Sequence, residues 1–260
     1  MATIISCNTN GIRAAARKGF FDWLDAQQPD VVCIQETKAQ VHQLGDPVFT
    51  PAGYHCFYND AVKKGYSGTA LYCKVKPRRV ITRLGWDPAD SEGRYTQADF
   101  KGLSVISLYM PSGSSSEEVL QKKLRFMEKF MVHLKTLRRA RREVILCADW
   151  NICHKPIDLK NWRGNQKNSG FLPEERAWLD VLYDEVGYVD SFRLINKEAD
   201  QYTWWSNRGQ ARANNVGWRL DYQVITPKLV DKVKAASIYR DQSFSDHAPQ
   251  IMEYDFDIMG

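Results

Sequence analysis

The feature that most constrains this chain is a series of short apolar runs rich in Val, Ile and Tyr, at 3–7, 31–35, 68–73, 103–109, 143–147, 222–226 and 250–256. Most are too short and too β-branched to be buried helices, so they are expected to be β-strands. Helical patterns fall between them. One begins at 19–26 and is limited by Pro29. Ser116 precedes Glu117 and Glu118, which is a helix N-terminal signal. Leu120, Leu124, Met127, Met131 and Leu134 then follow at alternating spacings of four and three, one apolar helix face. Pro173 before Glu174 and Glu175 opens another helix. With no internal repeat and no low-complexity linker, residues 1–260 are expected to form a single α/β domain.

Composition narrows the class. The chain is 43% hydrophobic and 26% charged, which excludes a disordered or collagen-like protein. No apolar run approaches the roughly 20 residues needed to span a bilayer, and residues 1–10 lack the basic start and cleavage site of a secretory signal. Most of the six cysteines lie inside apolar runs, as expected of reduced core thiols in a cytoplasmic protein. The net charge of +5 permits a nucleic-acid partner without demanding one. Residues 121–142 hold nine Lys or Arg against one Glu, a local +8 that leaves the remainder at −3. The densest basic run, 138–142, is expected to be a solvated helix end, where cations are favoured. Lys63-Lys64-Gly65-Tyr66-Ser67-Gly68 is less dense but better suited to a phosphate, because small residues let the backbone approach while lysines steer.

The ends of the strands carry the chemistry. Asn8 and Asn10 follow the first run, Gln35 and Glu36 end the second, and Tyr109, Asp149, Asn151 and Asp221 border later ones. Ser245-Asp246-His247 leads into the last. Glu36, Asp149, Asp221 and Asp246 would repel one another in a cleft and so need a cation. Oxygen ligands with Asn beside them suit a hard ion such as magnesium or manganese. Zinc spacing is absent, since Cys153-His154 has no matching pair. Any one of these acids alone is an ordinary strand end; the set is what points to a site. A His clamped by carboxylate stabilises developing phosphate charge, although Asp246 and His247 alone would also fit a turn and a core histidine. There is no Gly-x-Ser-x-Gly elbow and no Cys beside a base. Aromatics interleaved with Arg and Asn at 202–208 and 214–222 suit an unstacked base or a sugar pocket, as well as core packing.

These pieces carry a resemblance. The chain resembles the exonuclease III family of DNA-repair nucleases, within the endonuclease/exonuclease/phosphatase superfamily, from Ile4 to about Tyr254. The matching stretches are Cys-Asn-Thr-Asn-Gly-Ile-Arg at 7–13, Gln-Glu-Thr-Lys at 35–38, Gly-Tyr-Ser-Gly at 65–68, Glu-Gly-Arg at 92–94 and Tyr-Met-Pro-Ser-Gly at 109–113. They continue with Ala-Asp-Trp-Asn-Ile-Cys-His at 148–154, Ile-Asp-Leu-Lys-Asn at 157–161 and Gly-Asn-Gln-Lys-Asn-Ser-Gly-Phe at 164–171. Gly-Trp-Arg-Leu-Asp-Tyr at 217–222 and Ser-Asp-His-Ala-Pro at 245–249 complete the series. The order and spacing of the whole set make the match specific.

The resemblance implies a four-layered sandwich of two mainly antiparallel β-sheets flanked by helices, like deoxyribonuclease I. It implies base-excision repair chemistry dependent on Mg²⁺ or Mn²⁺: cleavage 5′ to an abasic site, 3′→5′ exonuclease action and removal of blocked 3′ ends. By the same token Glu36 would be the main metal ligand, with Asn10 beside it and Asp246 as a second ligand. Asp149 would orient or deprotonate the attacking water, held by Asn8 and Asn151. His247 would contact a phosphate oxygen, Asp221 would orient His247, Tyr109 would face the scissile phosphate and Asp158 the leaving group. Trp204, Trp218 and Leu220 would receive the extruded sugar. Arg13, Lys38, Tyr66, Arg94, Asn165 and Asn168 would bind DNA. Double-stranded DNA with abasic sites, nicks or blocked 3′ ends would be the partner, met by a monomer in a bacterial-type cytoplasm at the nucleoid. Two residues depart from the family pattern: Ala148 stands where relatives usually have Gly, and Ser112 where some have Asn. The chain is also similar, at 171–180 and 200–205, to the catabolite repression control protein, a regulator on this fold that lacks much of the catalytic set. A phosphoesterase of the same superfamily acting on lipid or inositol phosphates is a third reading.

Overall fold

Two mixed six-stranded sheets stack face to face. The computed structural model describes residues 1–258. One sheet has the order β13 (Val233–Ile238), β14 (Gln250–Tyr254), β1 (Ala2–Asn8), β2 (Val31–Gln35), β4 (Thr69–Cys73) and β3 (His55–Asn59). The other has the order β5 (Arg79–Ile81), β6 (Tyr95–Asp99), β7 (Leu103–Tyr109), β8 (Glu143–Asp149), β12 (Asp221–Ile225) and β9 (Val189–Asp190). A separate ribbon pairs β10 (Trp204–Trp205) with β11 (Gly217–Trp218). The parallel pairs, β1 with β2 and β7 with β8, lie inside their sheets, and the remaining pairings are antiparallel. The register aligns Asn8 with Gln35, and Tyr109 and Asp221 with Asp149, so the strand ends picked out in the sequence meet along one rim.

Strand pleating sorts alternate side chains into separate cores. Ile4, Val31, Cys33, Leu71, Val105, Ile145 and Cys147 face the other sheet and fill the space between. Ile5, Val32, Ile34, Ala70 and Tyr72 face outward onto α1 (Ile12–Arg17) and α2 (Phe20–Gln27). Ile106, Leu108, Val144, Leu146 and Ala148 face outward onto α3 (Glu117–Arg139). Shorter helices, α4 (Trp162–Asn165), α5 (Pro173–Asp180) and α6 (Ser191–Ile195), lie in the connections after β8 and β9. Among the described residues no helix is long and apolar enough to cross a membrane.

Near the rim the inter-sheet space turns polar. Gln35 Nε2 donates to Ser107 Oγ at 3.1 Å and Ser6 Oγ at 3.3 Å, and Ser107 Oγ donates to the Ile34 carbonyl at 2.9 Å. Thr69 and Thr96 join their hydroxyls at 2.8 Å. Satisfied polar groups of this kind fix one register of sheet on sheet, which apolar packing alone specifies less sharply.

The Ser116 side chain caps α3 by accepting from Val119 N–H, as its sequence predicts, and Pro173 is the first residue of α5. The apolar stripe of α3 differs from expectation. Leu120 and Leu124 are only half-buried, while Lys123, Phe126, Met127, Phe130, Met131 and Leu134 are buried. The helix is thus rotated so that a lysine enters the protein. The 68–73 run begins as a strand at Thr69, since Gly68 takes φ +88° with Thr37 and Asn59 packed where a Cβ would stand. Strands β3, β5 and β13 lie at sheet edges and half-exposed, so their sequences carry little alternation. β6 is wholly buried but reads Tyr-Thr-Gln-Ala-Asp, because its polar side chains belong to internal hydrogen bonds.

Candidate active site

At the rim the chain leaves regular strand geometry. Asn10 (φ +43°), Glu36 (+50°), Lys38 (+48°) and Asn151 (+52°) all take left-handed backbone, which costs a non-glycine residue roughly 1–2 kcal/mol. Such residues gathered at one place give up stability to aim side chains.

Asp149 is the centre. Its Oδ2 accepts from Asn8 Nδ2 at 2.7 Å and its Oδ1 from the Asn151 backbone N–H at 2.9 Å. His247 Nε2 stands 3.8 Å from Asp149 Oδ2, and His247 Nδ1 is 2.8 Å from Asp221 Oδ2. Asn8 Nδ2 also donates to Glu36 Oε1 at 2.9 Å, so one amide bridges two carboxylates. Ser245 Oγ donates to the Asn8 carbonyl at 2.6 Å and accepts from His247 N–H at 2.9 Å, tying the first strand to the last turn.

The charges divide the labour. Burial raises the Asp149 carboxyl to about 7, with Asp221 and Glu36 pushing the same way against the pull of His247. Burial would lower His247, but Asp221 and Asp149 outweigh it and raise the imidazole to about 10, so it is cationic at neutral pH. Burial would likewise raise Glu36, but Lys38 and Asn8 hold its carboxyl below the ordinary range. Burial, reinforced by Glu36, pushes the Tyr109 phenol up, so it keeps its proton.

Oxygen donors converge beside Glu36. Lys38 Nζ lies 2.7 Å from Glu36 Oε2 and also donates to Asn10 Oδ1, so an ammonium marks a place where positive charge is wanted. Glu36, Asp149 and His247 offer atoms within 4.8 Å of one another. The imidazole is charged and committed to Asp221, which leaves carboxylate and amide oxygens, the donor set of a hard divalent ion. The donors present therefore fit such a metal. Asp246 is engaged otherwise: its oxygens accept from Asn10 Nδ2 at 2.8 Å and Trp204 Nε1 at 3.0 Å, so it orients both neighbours.

Asn10, Glu36, Lys38, Tyr109, Asn151, Asp246 and His247 line a cleft of 810 Å³, with Asn8, Asp149 and Asp221 buried behind them. Trp204, Trp218 and Leu220 form its apolar wall, the two indoles meeting edge to face at 6.2 Å. Gly170 (φ +95°) lies against that wall, where a Cβ would come within 3.1 Å of the Trp218 ring. Thr203 Oγ1 accepts from the Leu220 and Asp221 N–H groups at 3.0 and 3.1 Å, fixing the segment that carries both wall and His247 partner.

Not every residue anticipated from sequence joins the cleft. Asn168 lines it, whereas Asn165 turns its amide to the Asn161 carbonyl at 2.8 Å. Arg13 is exposed and does not line the cleft. Arg94 is buried: it donates to Glu92 at 2.6 Å, the Tyr109 carbonyl at 2.9 Å and Tyr66 Oη at 3.0 Å, so it braces two tyrosines from behind rather than meeting DNA itself. Asp158 is buried against Arg219 at 2.8 Å and Arg193 at 2.7 Å, outside the cleft lining. A carboxylate so placed is a partner for buried guanidinium, and it anchors Trp218-Arg219-Leu220 instead of facing a leaving group. The Ala148 methyl packs toward α3, on the pleat face opposite Asp149. Ser112 lines the cleft.

Other residues went unanticipated. Lys167 and Arg208 add cations to the cleft lining. Behind it Lys123 and Glu175 form a fully buried pair at 2.5 Å. Lys123 Nζ also donates to the Asn151 carbonyl at 2.7 Å, and Glu175 accepts from Ser169 Oγ and from the Gly170 and Leu172 N–H groups. The pair thereby locks the Asp149–Asn151 turn to the 169–172 wall. Its one sequence signal is a lysine inside an apolar helix stripe.

The sequence pattern of the Endonuclease/Exonuclease/phosphatase family matches residues 5–247. The chain is 39% identical over 248 residues to an exodeoxyribonuclease of Bacillus subtilis (strain 168), covering 95% of this chain and 96% of that one. It is 38% identical over 249 residues to the DNA repair nuclease APEX1 of Danio rerio, covering 95% and 80%. Among solved structures it superposes on an AP endonuclease from Archaeoglobus fulgidus with a TM-score of 0.89 and 28% identity, covering 98% of this chain and all of that one.

Two outcomes follow from the charges. Lys123→Met alone should lower stability by about 3–5 kcal/mol in chemical denaturation, the cost of stranding a buried charge. Lys123→Met with Glu175→Gln should regain most of that stability while turnover stays about tenfold low, because the Asn151 carbonyl has lost its donor. Full recovery of both would make the pair a packing element only. The second outcome concerns Asp149, whose folded carboxyl titrates near 7 rather than near its unfolded value of about 4. Its ionisation therefore costs stability that is intact below pH 4 and lost as pH rises through 7. In chelator, Asp149→Asn should be more stable than wild type at pH 8, and the gap should close toward pH 4. Thermal melts at both pH values test this.

Proposed function

The chain belongs to the endonuclease/exonuclease/phosphatase family and is a hydrolytic nuclease of DNA repair, and from that premise we propose that its cleft performs the cut with the help of a divalent metal. The reaction is hydrolysis of a DNA phosphodiester 5′ to an abasic site, together with trimming of 3′ ends. Mg²⁺ or Mn²⁺ is the ion proposed, held by Glu36 with Asn10 beside it. When bound it supplies a Lewis acid that offsets charge on the phosphate.

The chain's own groups do the rest. Asn8 and the Asn151 amide aim the Asp149 carboxylate, which takes the proton of the attacking water. A base titrating near 7 is matched to work near neutral pH. The His247 imidazolium, kept charged and oriented by Asp221, donates to a phosphate oxygen from Nε2 and meets the negative charge as it grows. Tyr109, still protonated, faces the same phosphate. Trp204, Trp218 and Leu220 receive the sugar of an extruded abasic nucleotide, and the bulk of a base in that space opposes intact nucleotides. Lys38, Tyr66 and Asn168 hold the flanking strand. Double-stranded DNA bearing abasic sites, nicks or blocked 3′ ends is the substrate, met by a monomer. The free and mostly buried thiols support a reducing compartment such as the cytoplasm.

The observation that carries this reading is the charged His247–Asp221 pair standing 3.8 Å from a buried general base beside an aromatic sugar wall. A magnesium-dependent nick in duplex DNA holding an abasic analogue tests it. Wild type should cut, chelator should abolish cutting, and His247→Ala should be nearly inert; equal inertness of wild type and variant would favour the regulator. Asp149→Asn should cut turnover by on the order of a hundredfold while abasic DNA still binds. Trp218→Ala should harm abasic cleavage more than 3′-end trimming. Equal loss in both would remove the sugar wall from the account.

A further inference from the structure

Outside the active cleft lies a second groove of about 290 Å³, lined by Trp86, Asp87, Pro88, Lys122, Arg125 and Lys129, with Phe126 at its floor. The three cations are spaced three and four apart on α3, so they share one face of the helix. They span about 10 Å at 1.5 Å per residue. Arg125 and Lys129 are exposed, and neither forms an ion pair among the described residues. Lys129 Nζ stands 5.3 Å from the Trp86 ring centroid, and that indole is fixed edge to face on Phe126 at 4.9 Å. The acid of the groove, Asp87, already accepts from Ser91 N–H at 3.0 Å.

A chain of side-chain contacts joins the groove to Tyr109 of the cleft lining. Lys122 Nζ donates to Glu92 Oε1 and lies 5.9 Å from the Tyr66 ring centroid. The other Glu92 oxygen takes Arg94, which in turn holds the Tyr109 carbonyl. Lys63 Nζ lies 5.2 Å from the same Tyr66 ring. Lys63 and Lys122 thus flank Tyr66, with Lys122 and the buried Arg94 both paired to Glu92, and Arg125 and Lys129 follow Lys122 along the same face of α3. The cleft itself is floored by carboxylates, so the affinity for a polyanion has to be gathered outside it. Exposed cations without an ion-pair partner, here Arg125 and Lys129, do this, because each phosphate they neutralise releases condensed counterions.

We propose that this groove binds the phosphodiester backbone of the DNA arm that leaves the cleft past Tyr66, gripping the substrate several nucleotides from the cut. The proposal rests on the nuclease reading and extends it. The half of α3 nearest the cleft is then part of the DNA face, and the basic residues of its far end are not.

Binding is measured in chelator, where nothing is cut, on abasic duplexes whose arms are lengthened on one side at a time. Wild type should bind the long-armed duplex about tenfold more tightly than the short one at low salt, for one of the two directions. Arg125→Ala with Lys129→Ala should lose that advantage, and its slope of log affinity against log salt should fall by about 2, near 0.9 per phosphate contact. Lys135→Ala with Arg139→Ala removes the same charge from the far end of the helix and should keep the advantage. A groove variant that keeps the length advantage and the slope overturns the proposal, and so does a control that loses them equally, since net charge would then suffice. Failure of wild type to nick abasic DNA with magnesium would instead strike the nuclease reading and leave the groove to be decided by the binding result.

Discussion

The site depends on keeping a carboxylate able to ionise where it is almost wholly buried. Asp149 is buried beside two other acids, and nothing about its surroundings is cheap. A charge in such a place survives only with hydrogen bonds and an opposite charge in contact. Asn8, the Asn151 amide and His247 provide these, and each is supplied by a different part of the chain. Asn8 ends β1, Asn151 turns out of β8, and His247 sits before β14. A nearby acid that helps to make Asp149 a base, Asp221, is also the one that charges His247. The charge states of carboxylate and imidazole are therefore set by one electrostatic arrangement.

The fold exists in a form that permits this. Parallel pairs inside each sheet bring four strand ends to one rim, the position where open α/β sheets hold their ligands. The polar contacts of Gln35, Ser6 and Ser107 then fix how one sheet sits on the other. Without that registry Asn8 from the first sheet would not reach Asp149 from the second. The Lys123–Glu175 pair completes the support from the far side, through the carbonyl of Asn151.

Much of this was legible in the sequence. The strand-end residues Asn8, Glu36, Tyr109, Asp149, Asp221 and His247 stand out as a set, although any one of the acids alone would pass for an ordinary strand end. What was not legible has a physical cause. Sequence does not distinguish a carboxylate facing a cleft from one locked onto buried arginine, so Asp158 read like the others. It does not distinguish an arginine that meets solvent from one that props two tyrosines, so Arg94 read as a surface donor. Lys123 looked like part of a basic helix because its burial depends on the rotation of α3, which is set by packing. The charge count of the basic helix likewise did not show that Lys122 near its start would lie 5.9 Å from the Tyr66 ring centroid.

The order Trp218-Arg219-Leu220-Asp221 has a consequence of its own. Alternate side chains along it go to different places: Trp218 and Leu220 to the apolar wall of the cleft, Arg219 back into the buried ion pairs, and Asp221 to His247. Selectivity and reactivity are thus mounted on one short lever, pinned at its middle by Arg219. A change that widens the wall to admit bulkier nucleotides also shifts the anchor of the imidazolium. Under the proposed roles, substrate scope and chemistry would therefore be adjusted together, because the wall and the His247 partner share one anchor.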